Sequence, residues 1–218
     1  ASNGSSWSCN DLFSEAVCLQ QGMSRSPQTE NVLLWIRGHL TQCPTGEDVP
    51  ANLLMTNQLI GLYFSGSWSP PCQLFTPILA DSYKAIRQAH GDKSFEIVLI
   101  PLDTDDDAWR KYIVNMPWKS IPLANRETSM KLFLHFNVNE APRLIIVDGF
   151  GQTICENARG GLGFGFDCNA LEAYGRYLEK SVSSRAEAVA AEKAAKEAAE
   201  SAMEALSSPG GAATMPPD

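Results

Sequence analysis

The sequence predicts an α/β domain, a central mixed sheet flanked by helices, with an N-terminal arm and an Ala-rich C-terminal helix. Three observations carry this. Apolar strand-like runs alternate with segments of helical spacing and finish in a hairpin signal. The run Leu59-Ile60-Gly61-Leu62-Tyr63-Phe64 leads through Ser65-Gly66-Ser67 straight into a helix opening on Trp68-Ser69-Pro70-Pro71-Cys72. Past residue 180 the composition shifts to alanine interspersed with Glu, Lys and Arg.

The chain of 218 residues suits one ordinary domain with appendages, and its 44% apolar content is enough for a core. A net charge of -8 argues against nucleic acid or an anionic membrane as the main partner. No apolar run approaches the ~20 residues of a membrane helix, so no membrane span is expected. The first residue is Ala1, which leaves open whether a leader was removed.

Four regions follow: an arm over 1–30, a globular domain over 31–180, an Ala-rich helix over 181–208 and an unstructured tail over 209–218. In the arm, Asn10 or Asp11 can cap a short helix carrying Leu12, Phe13, Ala16, Val17 and Leu19. That segment reads either as a disordered arm or as one that docks on a partner. Residues 32–36 read as a strand or a helix edge. Residues 49–55 and 59–64 read as strands around a turn at 56–58. A helix follows over 70–90, with Ser69 as its N-cap, Pro70 at its first position and Pro77 kinking it. Residues 95–102 form a buried strand and 106–114 a helix whose acidic first turn suits the dipole. Next come a helix over 127–136, a strand over 144–148 and its hairpin partner over 152–156. A helix over 171–180 closes the domain.

The Ala-rich segment has strong helix propensity but only Val189, Met203 and Leu206 as large apolar residues. It reads as a solvated spacer or as a rod lying along a partner. The six cysteines, at 9, 18, 43, 72, 155 and 168, match neither a disulfide framework nor a zinc site, and the three histidines are scattered. Reduced, buried cysteines are expected, with no metal and no cofactor.

A strand, a tight turn and a helix mouth make a site for sulfur chemistry, because backbone N–H groups and the helix dipole favour a thiolate there. Exchange between two thiols and a disulfide needs two cysteines with two residues between them. Here Ser69 occupies the first position, and a hydroxyl neither ionises near neutral pH nor forms disulfides.

The run Tyr63 to Cys72, followed by Phe75-Thr76-Pro77, resembles the tryparedoxin and nucleoredoxin branch of the thioredoxin superfamily, which carries W-C-P-P-C here. Asp103 after the next strand, Met116-Pro117-Trp118, and Ala141-Pro142 after His135-Phe136-Asn137-Val138 match in the same order. The similarity covers about residues 50–165. It implies a thioredoxin fold and dithiol–disulfide exchange. It assigns Ser69 to the nucleophile position, Cys72 to the resolving position and Asp103 to proton movement. It makes Pro142 a cis-proline turn and places Trp68, Trp118, Ala141 and Arg159 beside the binding groove. Gln73 stands where the family usually has a basic residue, and Ala141 where it usually has Ile or Thr. These further departures favour natural loss of the first cysteine over a designed replacement.

The leading expectation is a redox-impaired domain used as an accessory or structural subunit of a larger complex. The arm and the Ala-rich helix would anchor it to other protein subunits, and the Trp68/Pro142 groove would add a binding surface. The compartment is open, an intracellular reducing one or the mitochondrion being compatible. The rival is a thiol-disulfide oxidoreductase whose nucleophile has been replaced. A third reading is monothiol chemistry at Cys72, which requires that sulfur to be exposed.

Overall fold

The order of elements follows from where apolar runs meet turn residues. The computed structural model describes residues 31–36, 40–50, 54, 56–163 and 169–207. After a 3-10 turn at Val32–Leu34 come β1 (Leu40–Gln42), β2 (Asp48–Val49), β3 (Leu59–Ser65), α1 (Pro70–His90), β4 (Phe95–Pro101) and α2 (Asp106–Ile113). Then follow β5 (Lys119–Ser120), α3 (Arg126–His135), β6 (Arg143–Asp148), β7 (Thr153–Cys155), α4 (Arg159–Leu162) and α5 (Ala170–Ser207). The expectations for the arm and for the tail beyond 207 fall outside the described residues.

The strands form one sheet in the order β2-β1-β5-β4-β3-β6-β7. β3, β4 and β5 run parallel; β6 and β7 on one flank, and β1 and β2 on the other, are antiparallel. β3 and β4 are buried along their whole length, which explains their unbroken apolar runs. Strand alternation sorts their side chains into two cores. Tyr63, Ile97 and Leu99 pack on one face with Phe75 and Leu79 of α1 and Trp109 of α2. Leu62, Phe64, Val98 and Ile100 pack on the other with Leu33, Leu132 and Phe133. The sheet is therefore mixed and covered on both faces, as the sequence predicts.

α1 buries Cys72, Phe75, Thr76, Leu79, Tyr83 and Ile86, the i, i+3, i+4 stripe of an amphipathic helix, and it runs through Pro77 unbroken. Gly91 ends it at φ 90°, a conformation that side-chain-bearing residues avoid. The α2 dipole meets Asp106 and Asp107 in the first turn, and Asp105 caps the helix by accepting from Ala108 N at 2.7 Å.

Several boundaries differ from expectation. Residues 32–34 form a 3-10 turn capped by Asn31, whose Oδ1 accepts from Leu33 N at 3.0 Å. Of the strand expected over 49–55, Val49 lies in β2, while Pro50, with no N–H for the ladder, and Leu54 lie outside any strand; residues 51–53 and 55 fall outside the described residues. β1 and β5 were not expected at all. The two C-terminal helices are one, α5, because no Gly or Pro interrupts residues 176–207. The chain divides into two compact units, Ala1–Leu178 and Glu179–Asp218. In the second, residues 185–203 are exposed throughout. Among the described residues no helix is long and apolar enough to cross a membrane.

Candidate functional site

The site is built where β3 hands over to α1. Ser69 sits at the N-cap in extended conformation, and its carbonyl accepts from Gln73 N at 3.1 Å. Its hydroxyl makes no cap bond, contrary to the expectation for a serine at this place. A cap oxygen accepts from the second or third helical N–H, and the second residue here is Pro71, which has none. Ser69 is 5% exposed, so even the hydroxyl is largely enclosed. Cys72, one turn in, is 0% exposed. A sulfur without solvent access cannot meet a disulfide or glutathione, which removes the structural basis for monothiol chemistry in this conformation.

The turn before the helix is clamped from two sides. Ser67 donates from N to both Asp103 oxygens at 2.9 and 3.2 Å and from Oγ to Oδ1 at 2.5 Å. Gln73 Nε2 donates to Ser67 O at 2.5 Å. The residue that departs from the family's basic position thus ties the turn to the helix. Asp103 is 2% exposed. Burial pushes its carboxyl above the usual range, and the Ser67 bonds offset part of that rise.

Beneath Cys72 lies a hydroxyl cluster that sequence reasoning missed. Thr76 Oγ1 lies 2.8 Å from Tyr63 OH and 2.7 Å from Tyr112 OH, and donates to Cys72 O at 2.8 Å. Ser65 Oγ lies 3.0 Å from Tyr63 OH and 2.7 Å from Tyr112 OH. Burial pushes both phenols above their usual range, so they remain neutral O–H groups. Their scatter over β3, α1 and α2 hides them from any local motif. The one available signal was polar residues inside otherwise apolar runs.

The predicted binding residues divide. Trp68 is 44% exposed and shares a cleft with Ala141. The Ala141–Pro142 peptide is cis and Pro142 is buried. Gly66 lets the Trp68 indole lie over the turn, since a Cβ there would lie 2.6 Å from the indole Nε1 and force the ring to shift. Arg159 is partly buried and held by Glu140 at 2.7 Å and Asn157 at 3.2 Å, rather than free at the surface. Trp118 corrects the expectation: it is fully buried in the core, edge-on to Tyr63 and Tyr83 at 6.0 and 5.9 Å, and does not line the cleft beside Trp68. Its size and apolar body make it core filling between β5 and α1. The cleft also includes Arg126 and Ser129, which the sequence had not flagged, and Met130 and Phe133, expected from the sequence only as inward-facing residues of their helix.

A clamped turn at the end of a buried strand, a helix mouth and a cis X-Pro bond define a domain of the thioredoxin-like class. A thioredoxin-like family model matches residues 57–153. Probable nucleoredoxin 1 of Arabidopsis thaliana is 38% identical over 115 residues, 53% of this chain and 19% of that protein. Tryparedoxin of Trypanosoma brucei brucei is 38% identical over 94 residues, 43% of this chain and 63% of that protein. The solved structure of native tryparedoxin I from Crithidia fasciculata superposes with a TM-score of 0.54 at 34% identity, covering 60% of this chain and 89% of that one. The chain belongs to the tryparedoxin/nucleoredoxin-like branch of the thioredoxin superfamily. It spans only about a fifth to a quarter of the nucleoredoxins it matches.

Proposed function

We propose that this chain is a redox-impaired, tryparedoxin-like module acting as an accessory or structural subunit of a larger protein complex. One observation carries the reading: the helix mouth offers no accessible sulfur, since Ser69 replaces the first and Cys72 is fully buried. Two others support it. The Asp103 carboxylate is engaged by Ser67, and α5 presents an exposed helical face over residues 185–203. The free cysteines at 43, 72 and 155 suit a reducing compartment, the mitochondrion included, which cell fractionation reads directly. The test is native electrophoresis of the chain from its source, with mass spectrometry of what migrates with it and an insulin-reduction assay. A particle much larger than 23.7 kDa and no turnover are expected. A lone monomer that cycles with a reductant would sink the reading.

A second reading has its own support. The clamped turn and the cis Ala141–Pro142 peptide are the frame of a thiol-disulfide oxidoreductase. If only the sulfur is lacking, Ser69→Cys turns over insulin disulfides at rates ordinary for the family. Silence in that variant, with the fold intact, eliminates this reading.

A further inference from the structure

One wall of the cleft beside Trp68 has no part in sulfur chemistry. Arg126, Ser129, Met130 and Phe133 line it, and their spacing of i, i+3, i+4 and i+7 makes it a single face of α3. Trp68 and Leu102 complete a surface that is mainly apolar. Three polar residues interrupt it, Ser129, Arg126 and Glu140. Ser129 is 8% exposed, and its Oγ has no hydrogen-bond partner within the protein. Buried hydroxyls are ordinarily paired, so this one offers a bond to whatever enters. Arg126 is exposed and uses Nη1 on the Asp103 carbonyl at 2.7 Å. The remaining guanidinium N–H groups are disposed as a fork that suits a carboxylate. Glu140, also at the cleft, is held by Arg159 at 2.7 Å and Arg143 at 3.7 Å and does not neutralise Arg126.

The geometry points to a partner segment in which an apolar side chain is followed by a carboxylate. The side chain packs between Trp68 and the α3 wall, the Arg126 fork takes the carboxylate, and Ser129 Oγ bonds a polar atom of the segment. Charge complementarity sets the acidic neighbour, because Arg126 is the cation at this cleft without an acidic side-chain partner. The open mouth sets the class of occupant: Trp68 is 44% exposed, so an anchored side chain stays joined to a larger chain outside. This inference rests on reading the Trp68 face as a protein-binding surface, and it names what that surface takes.

The test is NMR titration of the full isotope-labelled chain with two blocked hexapeptides, Gly-Ser-Phe-Asp-Ser-Gly and its Asp-to-Lys counterpart, and with 3-phenylpropionate. The acidic peptide is expected to shift the Trp68 indole N–H and the amides of residues 126–133, and to bind about tenfold more tightly than the basic one. Arg126→Gln should remove that preference, and Ser129→Met, which narrows the cleft, should remove binding by both while the spectrum stays dispersed. Equal binding of the two peptides, shifts confined elsewhere, or an unchanged preference in Arg126→Gln overturns the proposal. Binding of 3-phenylpropionate as tight as that of the acidic peptide overturns it in favour of a small-acid site. Partner capture from the source that Arg126→Gln and Ser129→Met leave intact refutes the cleft and spares the accessory-subunit reading. A chain that runs alone yet prefers the acidic peptide through Arg126 supports the cleft and refutes that reading.

Discussion

At the scale of single residues, the site is governed by what is enclosed. Cys43 is buried, and desolvation, helped by the nearby Glu96 carboxylate, pushes its thiol up to about 12. Cys72 has no solvent access and Cys155 is partly exposed. Native protein treated with iodoacetamide at pH 8 should therefore label Cys155 before either of the others, with Cys43 and Cys72 reacting only after denaturation. Peptide mass spectrometry reads this, and early labelling of Cys72 would reopen monothiol chemistry. Asp103 makes a second prediction. Its raised carboxyl binds a proton more tightly folded than unfolded, so the carboxylate costs stability at neutral pH. That cost disappears as pH falls through the raised folded value towards the ordinary 3.8. Asp103→Asn should thus be more stable than the parent at pH 7, and the gap should close on acidification. Urea midpoints between pH 4 and 8 check the sign.

At the scale of elements, polar pairs hold short strands in place. Glu96 on β4 is buried and meets Lys119 of β5, Arg87 of α1 at 3.5 Å and Tyr83 OH at 3.1 Å. β5 is only two residues long, too short to hold itself by its ladder. Glu96→Leu leaves the largely buried Lys119 ammonium without its carboxylate, while Arg87 keeps Asp92 at 2.9 Å, and should cost about 3–5 kcal/mol, the range for breaking one side of a buried pair. Urea unfolding measures it, and a loss below about 1 kcal/mol would mean that the pair is solvated.

At the scale of the whole molecule, the chain joins a packed sheet domain to an exposed helix. Residues 185–203 of α5 are exposed throughout, so they add little to the stability of the sheet domain. Deleting 185–218 should leave the domain's urea midpoint within about 0.5 kcal/mol of the parent, the usual range for changes at exposed surface. The same deletion should reduce recovery of the chain in its native particle. A fall in domain stability would show that the helix is part of the fold rather than an anchor.

The sequence by itself determined the long elements and the class. β3, β4 and α1 each carry enough consecutive residues for a period to be read, and W-S-P-P-C declares the missing sulfur without any structure. Ala141-Pro142 was likewise legible by resemblance, and its cis bond is seen. Only the tertiary structure decided the rest. β1 and β5 are two or three residues long and exist because a distant strand pairs with them. Trp118 went to the core because Tyr63 and Tyr83 surround it there. The Ser67–Asp103 clamp, the four-hydroxyl cluster under Cys72 and the cleft between Trp68 and the α3 face join residues from separate elements, and such meetings are set by packing, which leaves no period in the chain.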